Sequence, residues 1–77
     1  MSINIQLRLF ASLQKWSPDP SVSIELSASS TARNAYLGIG VPDAEVAIIM
    51  INGKRGLPDD ILSDGDKVQL FPFIGGG

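Results

Sequence analysis

The chain contains no cysteine and no histidine. Without cysteine there is no disulfide framework, no thiolate zinc cluster and no thiol nucleophile. Without histidine, no side chain has an unperturbed pKa near neutrality. Self-contained acid–base catalysis is left with carboxylates and lysines tuned by burial. Aromatic residues are scarce, with one Trp, one Tyr and three Phe, so the core has to be mainly aliphatic. Six basic side chains face eight acidic ones, for a net charge of −2, and no basic run occurs. The electrostatic footprint of a nucleic-acid binder is missing. The N-terminal segment MSINIQLRLF alternates polar and apolar residues, and no long unbroken apolar stretch follows it. That is neither a signal peptide nor a membrane span, and it predicts a cytoplasmic protein without nucleic-acid or membrane partners.

What is present suits one small globular domain. The 77 residues are 44% hydrophobic and 18% charged. A chain of this length buries only about 60% of its unfolded surface, so its stability is modest. Ile3, Ile5, Leu7 and Leu9 recur at a spacing of two and predict a strand with one buried face. Ser17-Pro18-Asp19-Pro20 breaks regular structure. Val22, Ile24 and Leu26 then predict a second strand, paired with the first as a hairpin whose end Leu13 or Trp16 covers. Thr31 is the best helix N-cap in Ser29-Ser30-Thr31. Ala32, Ala35, Tyr36 and Ile39 fall on one stripe behind it, and Leu37 falls off it. Gly40 and Pro42 end the helix.

The apolar run Val46 to Ile51 predicts a strand that is central or covered on both sides. Asn52-Gly53 is a hairpin turn, with Lys54 to Leu57 as a short return strand. Asp64-Gly65-Asp66 is another turn. Val68 and Leu70 point inward from a last strand that Pro72 terminates. Gln69, Phe71 and Phe73 then point the other way, while Phe10 is expected in the core. Asp59-Asp60 and Asp64/Asp66 lie in turn-forming stretches, where Asp accepts local backbone hydrogen bonds, so no metal site is expected. The element order gives an α+β domain with one helix on one face of a mixed four- to five-stranded sheet.

The chain ends Phe71-Pro72-Phe73-Ile74-Gly75-Gly76-Gly77. By composition alone this could be a frayed terminus. The pieces upstream give it meaning. Arg8-Leu9-Phe10-Ala11, Thr31 at the helix start, Gly40-Val41-Pro42, Ile51-Asn52-Gly53, Leu62 to Val68 and terminal Gly76-Gly77 occur in an order and spacing similar to the MoaD/ThiS family of ubiquitin-like sulfur carriers. The resemblance covers nearly the whole chain and implies the β-grasp fold, with residues 1–74 as the domain and 75–77 as a flexible glycine tail. The Arg-Leu-Phe-Ala opening looks like the molybdopterin branch. Phe73-Ile74 and a third glycine look closer to thiamine-type carriers, so the resemblance leaves the pathway open.

The resemblance further implies that the protein is not an enzyme and binds no cofactor of its own. An E1-like adenylyltransferase of the MoeB/ThiF type uses ATP to adenylate the Gly77 carboxylate. A sulfur donor converts the adenylate to a thiocarboxylate. That group delivers sulfur in a molybdopterin synthase large subunit or a thiazole synthase. Glycine suits such a thread because it lacks a Cβ and reaches conformations closed to other residues. From Phe73 to Gly77 an extended chain reaches roughly 17 Å. Gly75, Gly76, Ile74, Phe73 and Phe71 are the partner-binding candidates, with the two aromatics as docking anchors. Two other readings stay open: a ubiquitin-like modifier joined to lysines through the same glycine, and a β-grasp binding module whose tail has no role.

Overall fold

The computed structural model describes residues 1–73. Strand β1, Ser2–Leu9, alternates exposed and buried residues without a break, which puts Ile3, Ile5, Leu7 and Leu9 on one face. Strand β2, Ser21–Ser27, runs antiparallel to it with Ile5 opposite Ile24. The connection contains a 3-10 helix, Ala11–Trp16, opened by the Leu13 N–H donating to the Phe10 carbonyl at 3.1 Å. Leu13 is buried and Trp16 packs beside it, so both residues cover the hairpin end.

Helix α1, Ala32–Gly38, starts where its cap predicts. The Asn34 N–H donates to Thr31 Oγ1 at 3.2 Å, and the Thr31 N–H donates to Asn34 Oδ1 at 2.8 Å. This reciprocal capping box satisfies donors that a helix start otherwise leaves open. Two more of those donors reach across to another loop, Ala32 N–H to the Asp60 carbonyl and Arg33 N–H to the Pro58 carbonyl. A seven-residue helix is marginal by propensity, so these bonds and the burial of Ala32, Ala35 and Tyr36 hold it. Leu37 is exposed, as its place off the stripe requires.

Strand β3 spans Ile48–Ile51, not the whole of Val46 to Ile51, because a 3-10 helix at Asp43–Glu45 precedes it and Val46 caps that turn. Asn52 and Gly53 both have positive φ, and the chain returns as β4, Lys54–Gly56. Strand β5, Lys67–Phe71, buries Val68 and Leu70. The sheet order is β2-β1-β5-β3-β4. The centre therefore belongs to β5, parallel to β1 and antiparallel to β3. This corrects the sequence expectation for the apolar run. Within β3 only Ile49 is fully buried, since the helix covers one face of the sheet and leaves the other open. The result is the β-grasp arrangement: a five-stranded mixed sheet, one main helix, and an aliphatic core of Leu7, Leu9, Leu13, Val41, Val68 and Leu70 closed by Tyr36.

Candidate functional site at the end of the last strand

The site is built by the alternation of β5. Val68 and Leu70 enter the core, so Lys67, Gln69 and Phe71 belong to the open face. Register brings neighbours to each of them. Gln69 lies between Arg8 and Met50, and Phe71 lies beside Ile48. Met50 in turn pairs with Arg55. Residues opposite one another on adjacent strands share a face, so Ile48, Met50, Phe71, Arg8 and Arg55 form one surface.

Phe10 is the correction here. It does not enter the core. It follows Leu9 onto the open face and stacks on Phe71, with ring centroids 4.5 Å apart and planes 15° apart. The Arg8 guanidinium lies over the other ring of this pair, 5.4 Å from the Phe10 centroid. Such a stack with a cation above it adds on the order of 1 kcal/mol to what burial alone gives. Phe71 is accordingly half-buried against the Phe10 ring.

The backbone at the strand end is clasped from both sides. The Phe10 N–H donates to the Leu70 carbonyl at 3.2 Å, and the Ala47 N–H donates to the Phe71 carbonyl at 2.8 Å. Pro72 is buried next. Phe73 then emerges with 69% of its surface exposed. The remaining sequence candidates, Ile74, Gly75, Gly76 and Gly77, lie outside the described residues, and so does the expected boundary between domain and tail.

Charge is distributed unevenly over this small acidic protein. Arg33 pairs with Asp43 and Asp59, and Lys15 with Glu45. Among the described residues Arg8, Lys54, Arg55 and Lys67 have no carboxylate within ion-pair distance. Arg8, Arg55 and Lys67 stand on the open face by register. Of the carboxylates singled out in turns, Asp59 pairs with Arg33 and the other three are engaged with backbone. Asp60 accepts from the Leu57 N–H at 2.9 Å, Asp64 from the Asn4 N–H at 2.6 Å, and Asp66 from the Ser63 N–H at 2.8 Å. Among the described residues no acidic group is arranged to hold a metal ion.

Strong pKa perturbation occurs on the opposite side of the sheet. Burial pushes the Tyr36 hydroxyl up to about 12, helped by its hydrogen bond to Asp43. The same bond, with the Arg33 guanidinium, holds Asp43 below the usual carboxylate range. These groups tie α1 to the Asp43–Glu45 turn and to Asp59, away from the strand end. A hollow of about 160 Å³ lined by Gln6, Arg8, Ser21, Lys67, Val68 and Gln69 marks the open face. Ligand pockets run to roughly 300–1,000 Å³, so this one is too small to enclose a metabolite. The geometry favours a flat contact beside an emerging chain end over an internal reaction chamber.

Sequence reasoning placed Phe71 and Phe73 on this face but did not identify Ile48, Met50 and Phe10 as their neighbours. The signal was available in part: Ile48 and Met50 share a parity within a strand that has only one covered face.

Comparison with known proteins agrees with this fold. The family model described as Mut7-C ubiquitin matches residues 2–75. The fold is similar to the solution structure of the Haloferax volcanii HVO 2177 protein, with TM-score 0.77 and 22% identity over 99% of this chain and 88% of that one. A molybdopterin converting factor subunit 1 from Pyrococcus furiosus superposes with TM-score 0.74 at 23% identity, covering 91% of this chain and 97% of that one. The small archaeal modifier protein 1 from Methanosarcina acetivorans gives TM-score 0.72 at 20% identity, over 100% of this chain and 99% of that one. These neighbours are small ubiquitin-like proteins.

Proposed function

The chain belongs to the Mut7-C ubiquitin family, among the MoaD/ThiS-type ubiquitin-like proteins, and from that premise we propose that it is a carrier whose reactive atom is its own terminal carbonyl carbon at Gly77. The observation that carries the reading is the strand end. A core strand clasped on both edges delivers Phe73 outward beside an open apolar and cationic face, and among the described residues the hollow on that face is too small to enclose a metabolite. The chemistry is then performed in a partner's site.

In the first step a Gly77 carboxylate oxygen attacks the α-phosphorus of ATP held by an E1-like adenylyltransferase of the MoeB/ThiF type, and pyrophosphate leaves. Sulfide from a donor then attacks the acyl-adenylate carbon. AMP departs and a thiocarboxylate remains. The carrier next docks on a synthase, where the thiocarboxylate sulfur bonds to a cofactor precursor and water cleaves the resulting acyl–sulfur bond, so that the sulfur stays on the precursor and the carboxylate returns. The acceptor enzyme is a molybdopterin synthase large subunit or a thiazole synthase. The carrier binds no cofactor, and ATP belongs to the partner. Its place of work is the cytoplasm. Phe71, Phe73 and Ile74 anchor the docked body, while Gly75 and Gly76 form a thread narrow enough for a closed channel.

The test is direct. Incubation with an E1-like enzyme of the same genome, ATP and a sulfide donor exchanges one oxygen of the terminal carboxylate for sulfur, read by intact-mass spectrometry. A chain extended past Gly77 does not react. No mass change under conditions that convert an established carrier refutes the proposal.

A second reading has its own support in the neighbour named a small archaeal modifier protein. A modifier shares the adenylation step but passes Gly77 to a lysine amine, with loss of AMP. Isopeptide-linked Gly77 peptides in digests of cell lysate distinguish it from the sulfur carrier.

A further inference from the structure

The two edges of the sheet are built differently. Strand β4 is three residues long and carries Lys54 and Arg55. Shortness and cations are the usual guards against edge-to-edge pairing. Strand β2 has neither. Its seven residues, Ser21–Ser27, contain no lysine, proline or glycine and one charge, Glu25. It pairs with β1 residue for residue, without a bulge.

The direction of its free backbone groups follows from the ladder. The Leu9 N–H donates to the Pro20 carbonyl at 2.8 Å, and the Ala28 N–H donates to the Met1 carbonyl at 3.0 Å. Antiparallel ladders alternate, so Val22, Ile24 and Leu26 turn both backbone groups toward β1. Ser21, Ser23, Glu25 and Ser27 turn theirs outward. Of these outward groups, the Ser27 carbonyl already accepts from the Ser30 N–H at 3.1 Å. Those of Ser23 and Glu25 have no partner strand among the described residues.

The residue pattern of this edge is symmetric about its middle. In Ser-Val-Ser-Ile-Glu-Leu-Ser, Ile24 is flanked at equal distance by Val22 and Leu26, and serines close both ends. We propose that β2 is a self-pairing edge through which two copies of the chain associate, antiparallel and centred on Ile24.

The register is specific. Ser23 lies opposite Glu25 of the second copy, and these are residues whose N–H and C=O groups point outward. Val22 lies opposite Leu26 and Ile24 opposite Ile24, at the non-hydrogen-bonded positions where side chains approach most closely. Centring on Glu25 instead sets two like charges face to face. Centring on Ser23 leaves Leu26 and Ser27 without partners. A slip by one residue puts apolar side chains against serines and mismatches the free backbone groups.

Val22, Ile24 and Leu26 are half-buried on the helix side of the sheet, and pairing covers their remaining flanks. The contact is that of a single strand edge, well below the roughly 1,200 Å² of a stable complex, so association is weak and concentration-dependent. The symmetry axis is perpendicular to the sheet. Both open faces then share one side of a continuous sheet, and the two β5 strands run in opposite directions.

Sedimentation velocity from micromolar to millimolar protein tests this, with amide exchange read residue by residue. The sedimentation coefficient rises toward the dimer. The Ser23 and Glu25 amides gain protection with concentration, while the Ile24 amide, already held by β1, does not change. S23K faces Glu25 of the second copy twice per dimer and tightens association about fivefold; S23E loosens it about as much. S23P removes one outward donor and abolishes pairing, with the fold verified by circular dichroism. A chain that stays monomeric at millimolar concentration overturns the proposal, even if it captures an unrelated extended peptide. So does an equal response to S23K and S23E, or protection gained at other strands.

Discussion

Phe73 separates docking from folding, and replacing it with alanine is the sharpest test of the carrier reading. An aromatic side chain brings about 200 Å² to a contact. With 69% of that exposed, roughly 140 Å² is free for a partner. At about 25 cal/mol per Å², complete burial is worth at most about 3.5 kcal/mol. Alanine keeps part of this and a partner covers the ring incompletely, which leaves a loss of about 1.5–2.5 kcal/mol, or about 10- to 70-fold in affinity. The cost to the fold is below about 1 kcal/mol, against a total of about 4–11 kcal/mol for a domain of this length. F73A therefore melts close to the wild type. The assay is pyrophosphate release by an E1-like enzyme that adenylates the wild-type chain, with a sulfide donor present, at saturating ATP and varied carrier. F73A raises KM for the carrier by at least about tenfold, with kcat changed less. F71A behaves otherwise: it breaks the stack on Phe10 and lowers stability by about 1.5–3 kcal/mol, as well as raising KM. If F73A leaves KM within about twofold of wild type, the exposed aromatic is no anchor and the docking argument fails.

Further consequences are open to measurement. T31A removes the hydroxyl that accepts from the Asn34 N–H, which costs about 1 kcal/mol and lowers Tm by about 4–8 °C in calorimetry. G56A places a Cβ 2.7 Å from Ile51 Cδ1 and 3.0 Å from Ile51 Cγ1, so the half-buried Ile51 side chain has to turn aside and stability falls by about 1 kcal/mol in urea titrations. The native state holds the Tyr36 proton up to about 12, whereas the unfolded chain releases it near the ordinary tyrosine value of about 10. The resulting stabilisation is complete below that lower value and is lost as pH rises between the two. Y36F costs about 1 kcal/mol at neutral pH and flattens this alkaline limb, whereas an unchanged limb assigns the loss to other groups. Asp43, held below the usual carboxylate range by Tyr36 and Arg33, acts in the opposite sense: its contribution is present above the ordinary carboxylate pKa and is lost as pH falls through the lowered one. D43N therefore weakens the acid limb of the stability curve.

Much of the fold was legible because local patterns and tertiary needs agree. The strict parity of Ile3 to Leu9 is a one-faced strand, and Thr31 ahead of the stripe Ala32, Ala35, Tyr36 and Ile39 is a helix start. What stayed hidden depends on contacts distant in the chain. The 3-10 helix at Ala11–Trp16 begins at Phe10, whose ring is set by Phe71 sixty residues on. The position of β3 in the sheet is a matter of pairing, which no local run encodes. Its apolar residues of both parities suggested two covered faces, whereas Ile48 and Met50 serve the surface beside Phe71. At the candidate site the aromatics were readable from the alternation of β5. Their companions Phe10, Ile48 and Met50 come from other strands, so the composition of the patch required the register.

That register makes core and recognition surface two faces of one strand. In β5 the even residues Val68 and Leu70 are fully buried, and Pro72 continues the inward series after the ladder ends. The odd residues Gln69, Phe71 and Phe73 continue the outward one. Because Phe10 and Ala47 grip the strand at its last two carbonyls, the outward series cannot slip relative to the neighbouring Arg8 and Ile48. A one-residue slip would turn Phe71 into the core and Leu70 out of it. The position at which the chain leaves the body is thus fixed by the packing of Val68, Leu70 and Pro72. A core substitution such as V68A therefore acts at a distance: it loosens the strand that aims Phe73, and docking weakens by more than the loss of folded protein accounts for. Affinity corrected for the folded fraction measures that excess, and a corrected affinity equal to wild type would separate the core from the aim of the chain end.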